Sequence, residues 1–294
     1  MVRAPGSPIR RLVLVAASVL IAAAPPQQRG PPPGPAGSFG EEHLWDDGKA
    51  EISQYAAEEM VEGEKRSFDA WSIVVAELLD PSQMIKKDKF NLSYVPVLKC
   101  NWFLEIPTGV YRYHQMASLF LRRSDMLAMK VVFSSSEWCG TSFCEWRRDR
   151  PGFLIHSYFD GEADQTVEFE NPGESDLFYE QVPLWTRSRR PEKARSEKIT
   201  LIEKHLASSR CPPPKSVDAT MVFKGKLGDG DDARVEVDLV HGGATDTLVL
   251  APALPYTLRE WRRADGTTWK LKKSRRFDYW NFSKNASAGE WDKP

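Results

Sequence analysis

The chain has 294 residues, 40 lysines and arginines against 41 aspartates and glutamates, a formal net charge of −1 and a mean hydropathy of −0.46. That length suffices for one large domain or two smaller ones, each with its own core. The balanced charge removes any general argument for a polyanionic partner, nucleic acid included. Charge is unevenly spread, however: residues 41–78 carry eleven acidic and three basic side chains, and residues 255–280 carry eight basic and three acidic ones. The two regions either attract each other within the fold or form separate patches.

Arg3, Arg10 and Arg11 precede the apolar run Leu12 to Ala24, which ends in small residues. This is the pattern of a cleavable signal peptide over 1–24, cut near Ala22 to Ala24, and it predicts a periplasmic or secreted protein. A run of thirteen residues falls short of the ~20 that a membrane-spanning helix needs, so the mature chain is expected to have no transmembrane segment. Arg10-Arg11 also touches on the twin-arginine route, although Leu12, Val13 and Leu14 fit that pattern poorly. Residues 25–41 are rich in Pro and Gly with almost nothing to bury, which predicts a disordered, extended linker.

From Trp45 onward, short runs rich in Val, Ile, Phe, Tyr and Trp alternate with turn residues. Strands are predicted at 51–56, 70–78, 95–104, 109–121, 127–134, 142–146, 153–159 and 166–170. No long helical stretch intervenes to make a parallel crossover, so the segment 42–190 reads as an antiparallel meander. In 191–210, Ile199, Leu201, Ile202 and Leu206 fall at helical spacing among charged residues before Cys211-Pro212-Pro213-Pro214, which predicts one amphipathic connecting helix. The remainder, 211–294, resumes strands at 219–223, 235–239 and 247–250. It closes with a hairpin from Tyr256 to Lys273 that turns at Ala264-Asp265-Gly266. The expected fold class is therefore mostly β (α+β): one curved antiparallel sheet with a single helix, the C-terminal strands packing on it or extending it.

Cys100, Cys139, Cys144 and Cys211 are an even set in an oxidising compartment, which predicts at least one disulfide among three possible connectivities. A Cys139–Cys144 bond would need a tight turn at Gly140-Thr141.

The stretches DGKAEISQY (47–55), VPVLKCNWFLEIPTGVYRY (95–113), SSSEWCG (134–140) and SYFDGEAD (157–164) together resemble a family of uncharacterised exported bacterial proteins, many of them lipoproteins. The resemblance covers most of the chain and implies export, but no activity. Some relatives carry a septum-formation-inhibitor label; that enzyme family is a cytoplasmic α/β nucleotide pyrophosphatase, which nothing here resembles. This chain differs from the lipoprotein relatives in lacking a lipidation cysteine after its apolar run. By fold analogy alone, the meander, helix and hairpin look similar to periplasmic lipoprotein carriers.

Several residues are candidates for a site. Glu137, Trp138, Cys139 and Gly140 place a carboxylate, an indole and a thiol at a strand end. Cys139 would be a nucleophile if His114 or His156 lowered its pKa, and a plain structural residue otherwise. Asp160, Glu162 and Asp164 supply hard oxygens suited to Ca²⁺, although Asp160-Gly161 equally reads as a turn. Tyr111 and Tyr113 share one strand face and could stack on an apolar or sugar ligand, or simply fill the core. Lys99 and Arg112 lie in the same region as candidate contacts for an anionic head group. The basic hairpin, represented by Arg262, Lys272 and Arg276, suits an anionic lipid or acidic polysaccharide, or is an ordinary solvated face. Sequons at Asn91, Asn281 and Asn285 have meaning only in a eukaryotic secretory pathway.

The leading expectation is a non-enzymatic exported protein whose curved sheet holds a lipid-like or other envelope component in an apolar groove, with Tyr111, Tyr113, Glu137 and Trp138 as ligand contacts and no cofactor. An envelope hydrolase or transferase using Cys139, or the Asp160, Glu162 and Asp164 cluster, is the alternative. A structural envelope protein that binds partners through its basic hairpin is a third.

Overall fold

The structure is a computed structural model, and it describes residues 39–293 apart from residue 161 and residues 204–208. The expected signal peptide and residues 25–38 of the expected linker lie outside the described residues. The fold begins earlier than the sequence suggested. Phe39–Glu41 form a 3-10 turn, Phe39 packs edge-on against Trp45 at 5.5 Å, and the Trp45 indole N–H donates to the Phe39 carbonyl at 2.9 Å. These three residues are thus folded rather than part of a disordered linker, because a single aromatic anchor offsets the Pro/Gly-rich composition before it.

The first half of the chain contributes β1 (Ala50–Val61), β2 (Glu64–Asp80), β3 (Ile85–Lys87), β4 (Val95–Pro107), β5 (Arg112–Arg122), β6 (Ala128–Glu137), β7 (Gly140–Arg147), β8 (Arg150–His156) and β9 (Gln165–Val167). The second half contributes β10 (Asp176–Phe178), β11 (Arg195–Ile202), β12 (Ser216–Leu227), β13 (Arg234–His241), β14 (Ala244–Leu250), β15 (Leu258–Arg262) and β16 (Thr268–Phe277). They form one curved, unclosed sheet in the order β10-β11-β12-β13-β14-β15-β16-β1-β2-β4-β5-β6-β7-β8-β9, with β3 hydrogen-bonded to β2 off this path. All pairings are antiparallel except β10 with β11. The two halves join where β16 pairs with β1, so the C-terminal strands continue the same sheet.

Period-two alternation decides which face turns inward. Along β4, Leu98, Cys100, Trp102, Leu104 and Ile106 are buried, while Lys99, Asn101, Phe103 and Glu105 between them are partly exposed. The inner face is filled by the chain itself. Leu177, Phe178, Tyr179, Val182, Leu184 and Trp185 belong to the same core as the inward residues of both halves. Phe178 meets Trp146 at 5.5 Å on one side, and Tyr179 stacks on Trp261 at 5.2 Å on the other. Polar contacts fasten this insert: the Trp102 indole donates to the Glu180 carbonyl and the Gln181 amide to the Met126 carbonyl, at 2.9 and 2.8 Å.

The insert contains the α-helix, α1 (Val182–Ser188). It lies upstream of the expected helix, and the expected site is mostly strand: β11 occupies 195–202, while Leu206 lies outside the described residues. Ile199, Leu201 and Ile202 are all buried. The three-residue step from Ile199 to Ile202 mimicked a helix, but the Ile199-Thr200-Leu201 alternation and pairing to β12 prevailed. Among the described residues no helix is long and apolar enough to cross a membrane.

α1 ends on a buried ion pair. Arg187 Nη1 and Nη2 donate to Glu51 Oε1 and Oε2 at 2.7 and 2.8 Å, and Arg187 Nε donates to the Pro255 carbonyl at 2.8 Å. This bidentate contact locks the insert to β1. Arg187→Ala leaves the Glu51 carboxylate buried and alone, which costs about 3–5 kcal/mol in urea unfolding. Combining Arg187→Met with Glu51→Leu recovers most of that loss. A cost for Arg187→Ala below about 1 kcal/mol, the range of a solvated surface pair, would show that the pair does not hold the insert.

Candidate ligand-binding site

The β6–β7 hairpin closes between Glu137 and Gly140, which places Trp138 and Cys139 at its tip. The Glu137 carboxylate fixes this tip, accepting the Cys139 N–H at 2.9 Å and the hydroxyl of Tyr158. Gly140 is required by close approach: a Cβ there would sit 2.8 Å from the Tyr158 ring. On the neighbouring β4–β5 turn, Thr108 caps the chain and orients Tyr111. The Tyr111 ring then stacks on Trp138, with centroids 5.8 Å apart and an interplanar angle of 26°.

Tyr111 also meets Tyr113 edge-on at 5.6 Å, their hydroxyls lie 3.4 Å apart, and the Tyr113 hydroxyl donates to Glu62 at 2.9 Å. Tyr113 belongs to the main core, whereas Trp138 is 76% exposed. Trp138 and Tyr111 therefore form an outward platform, with Glu137 fixing the hairpin tip and Tyr113 beneath it in the core. Hollows of about 290, 240 and 400 Å³ are lined by residues of 188–197, by Glu41 with residues of 92–96 and 122–124, and by the β11–β13 region. None of these three includes a platform residue.

Electrostatics argue against a thiol nucleophile. Burial works to raise the Glu137 pKa, but hydrogen bonds from Tyr158 and Cys139 hold it below the usual carboxylate range. That charge in turn pushes the exposed Cys139 thiol above its ordinary value, through a hydrogen bond and by direct repulsion of a thiolate. Burial and the same carboxylate raise the Tyr158 phenol. The histidines expected to assist Cys139 are engaged elsewhere: His156 Nδ1 lies 2.8 Å from Asp164, and His114 Nδ1 lies 3.5 Å from Glu105. Cys139 thus has an anionic neighbour where catalysis would need a cationic one.

The other candidates separate. Glu162 is held by Ser157 and Arg210 and Asp164 by His156, and among the described residues no group of three potential ligands converges on a metal position. Local partners thus take two of the three carboxylates of the Asp160, Glu162 and Asp164 candidate cluster. In the basic hairpin, Arg262 pairs with Glu260 at 2.8 Å, Lys272 with Asp69 at 2.9 Å, and Arg276 with Asp47. Lys99 is held by Glu77 at 2.7 Å, while Arg112 is exposed.

The structure shows no disulfide among the four cysteines. Cys139 is exposed at its turn and Cys144 is buried within β7, while the Cys144 and Cys211 thiols hydrogen-bond to each other. Glu62 and Tyr158 were not recognised in the sequence as site residues. Glu62 reaches the platform only through long-range strand pairing, and its local trace is the Glu62-Gly63 turn with both φ angles positive.

Because Glu137 suppresses the Cys139 thiolate near neutral pH, iodoacetamide should alkylate Cys139 more slowly than a free model thiol, with the rate rising only at higher pH. Glu137→Gln should accelerate this reaction severalfold at pH 7. Equal rates in the two proteins, followed by peptide mass mapping, would remove the electrostatic coupling.

No family model matches this chain, and no curated protein matches it. Among solved structures, a DUF1089-family protein from Pseudomonas aeruginosa is similar over 65% of this chain and 88% of its own, with 11% sequence identity and a TM-score of 0.37. A similarity that distant carries neither fold nor function across.

Proposed function

We propose that the chain is an exported, non-enzymatic protein that binds the saccharide portion of an envelope component on the Trp138–Tyr111 platform. The observation that carries this reading is a large indole left 76% exposed on a hairpin tip that Glu137, Tyr158 and Tyr111 hold in place. Solvent-exposed aromatic surface is unfavourable unless something covers it, and fixing it in advance lowers the ordering cost of binding. A sugar ring offers an apolar C–H face to the indole and hydroxyl donors to nearby carboxylates such as Glu137. An acyl chain would need a concave apolar site, and the inner face of the sheet is occupied by the insert around α1. The thiol hydrolase reading is disfavoured by the raised Cys139 pKa.

Calorimetric titration with a panel of purified envelope oligosaccharides tests the platform. Trp138→Ala should weaken the strongest hit at least tenfold, a change of about 1.4 kcal/mol, with the unfolding midpoint unchanged. Parental affinity in both Trp138→Ala and Tyr111→Ala would sink the reading.

Export has a separate consequence for the cysteines. An oxidised dithiol carrier would accept two electrons and two protons from Cys144 and Cys211, leaving as the reduced dithiol while a disulfide forms between them. Protein recovered from its exported location should then be two hydrogens lighter by intact mass and give a linked Cys144–Cys211 peptide. Four alkylatable thiols after unfolding would count against export.

A further inference from the structure

The loop between β2 and β4, which carries β3, gathers several exposed apolar side chains. Within eight residues it exposes Ile85 (45%), Phe90 (57%) and Leu92 (92%). This exposure belongs to an ordered loop. Met84 is buried with Leu79, Val97 and Met129, its N–H donating to the Asp80 carbonyl at 2.7 Å. Asn91 then sets a turn by accepting the Ser93 N–H at 2.9 Å. The base is anchored and the apolar tips point to solvent.

Cationic side chains surround those tips. Lys86 and Lys89 are exposed in the same loop, and Lys86 has the solvated Asp88 at 3.3 Å and the buried Glu77 at 3.9 Å as partners. Arg122, beside the hollow of about 240 Å³ that Leu92 lines, is half-buried and paired with Asp125. Three separated apolar tips interrupted by polar Asn91 and Asp88 make a poor protein interface, which normally needs a contiguous complementary area. Isolated apolar tips ringed by lysines suit the boundary between acyl chains and anionic head groups, where each tip is buried separately and each cation meets a phosphate.

We propose that this loop is an interfacial membrane anchor: Phe90 and Leu92 insert at the head-group boundary of an anionic bilayer, and Lys86 and Lys89 contact its phosphates. The saccharide platform follows the far end of β4, roughly 40 Å away at the rise of an extended strand, so the anchor works independently of that reading. Docked through the loop, the protein directs its platform away from the membrane.

The test uses the mature chain and sedimentation with vesicles of phosphatidylcholine alone or mixed with phosphatidylglycerol, neither containing any sugar lipid. Binding should appear with the mixed vesicles and weaken as salt is added. Phe90→Glu with Leu92→Glu, and separately Lys86→Glu with Lys89→Glu, should each reduce partitioning at least tenfold. Both pairs are exposed, so unchanged circular dichroism and unfolding midpoints should accompany the loss. Trp138→Ala should bind vesicles like the parent protein. Absent parental binding, binding that survives either double substitution, or loss in Trp138→Ala would overturn the proposal.

Discussion

A single long sheet has an inner face to bury and no second sheet to bury it against, and that constraint organises this molecule. Twisted open sheets rarely pass about ten strands without curling or splitting. Here the sheet curls, and the concavity is filled by residues 177–187 of the same chain. The insert brings polar groups into an aromatic core, and three contacts fasten it there: Trp102 serves the Glu180 carbonyl, the Gln181 side chain serves Met126, and Arg187 is neutralised by Glu51, while Gln181 Oε1 and Thr186 Oγ1 are buried without a partner. Without the insert, the inward tryptophans of β4, β15 and β16 would face water. Function is consequently displaced from the interior to the ends of the strands, where the hairpin tips are free to vary.

The acidic beginning and basic end of the chain serve the closure between the two halves. β16 lies against β1, with Arg276 on Asp47, Lys272 on Asp69 and the buried Arg263 beside Glu59, whose carboxylate also takes the Trp269 indole N–H at 2.7 Å. Arg263 lies over Trp261 and Trp269 at 4.3 and 4.9 Å. Part of the cationic, aromatic hairpin therefore forms a seam: Trp261 and Trp269 turn inward, and Arg263, Lys272 and Arg276 meet carboxylates from the first part of the chain.

Local signals marked the strands well, because alternation with turn residues is written into each segment: β4, β6, β13 and the closing hairpin fall close to where pattern alone puts them. Tyr111 and Tyr113 meet edge-on, but Tyr111 precedes β5 and is set by the Thr108 turn, so the two-residue period of a strand is not what brings them together. The helix could not be found this way. Tertiary packing sets α1, a seven-residue segment containing Pro183, with six of its residues buried and no amphipathic stripe to see. β11 misled because its apolar spacing satisfies both periods. The partners of Glu137 and Tyr113, namely Tyr158 and Glu62, lie 21 and 51 residues away, and only strand pairing brings them near.

The sheet's unclosed ends carry one more consequence. A path of fifteen strands terminates in β9 and β10, each three residues long, one antiparallel to its neighbour and the other parallel. Long strands such as β2 and β4 lie inside the path, hydrogen-bonded on both sides. Unpaired strand edges are templates on which further chains add, and very short ones offer few groups to template. Placing the shortest strands outermost lets an open sheet of this size keep its edges without recruiting copies of itself, a protection that barrels obtain only by closing.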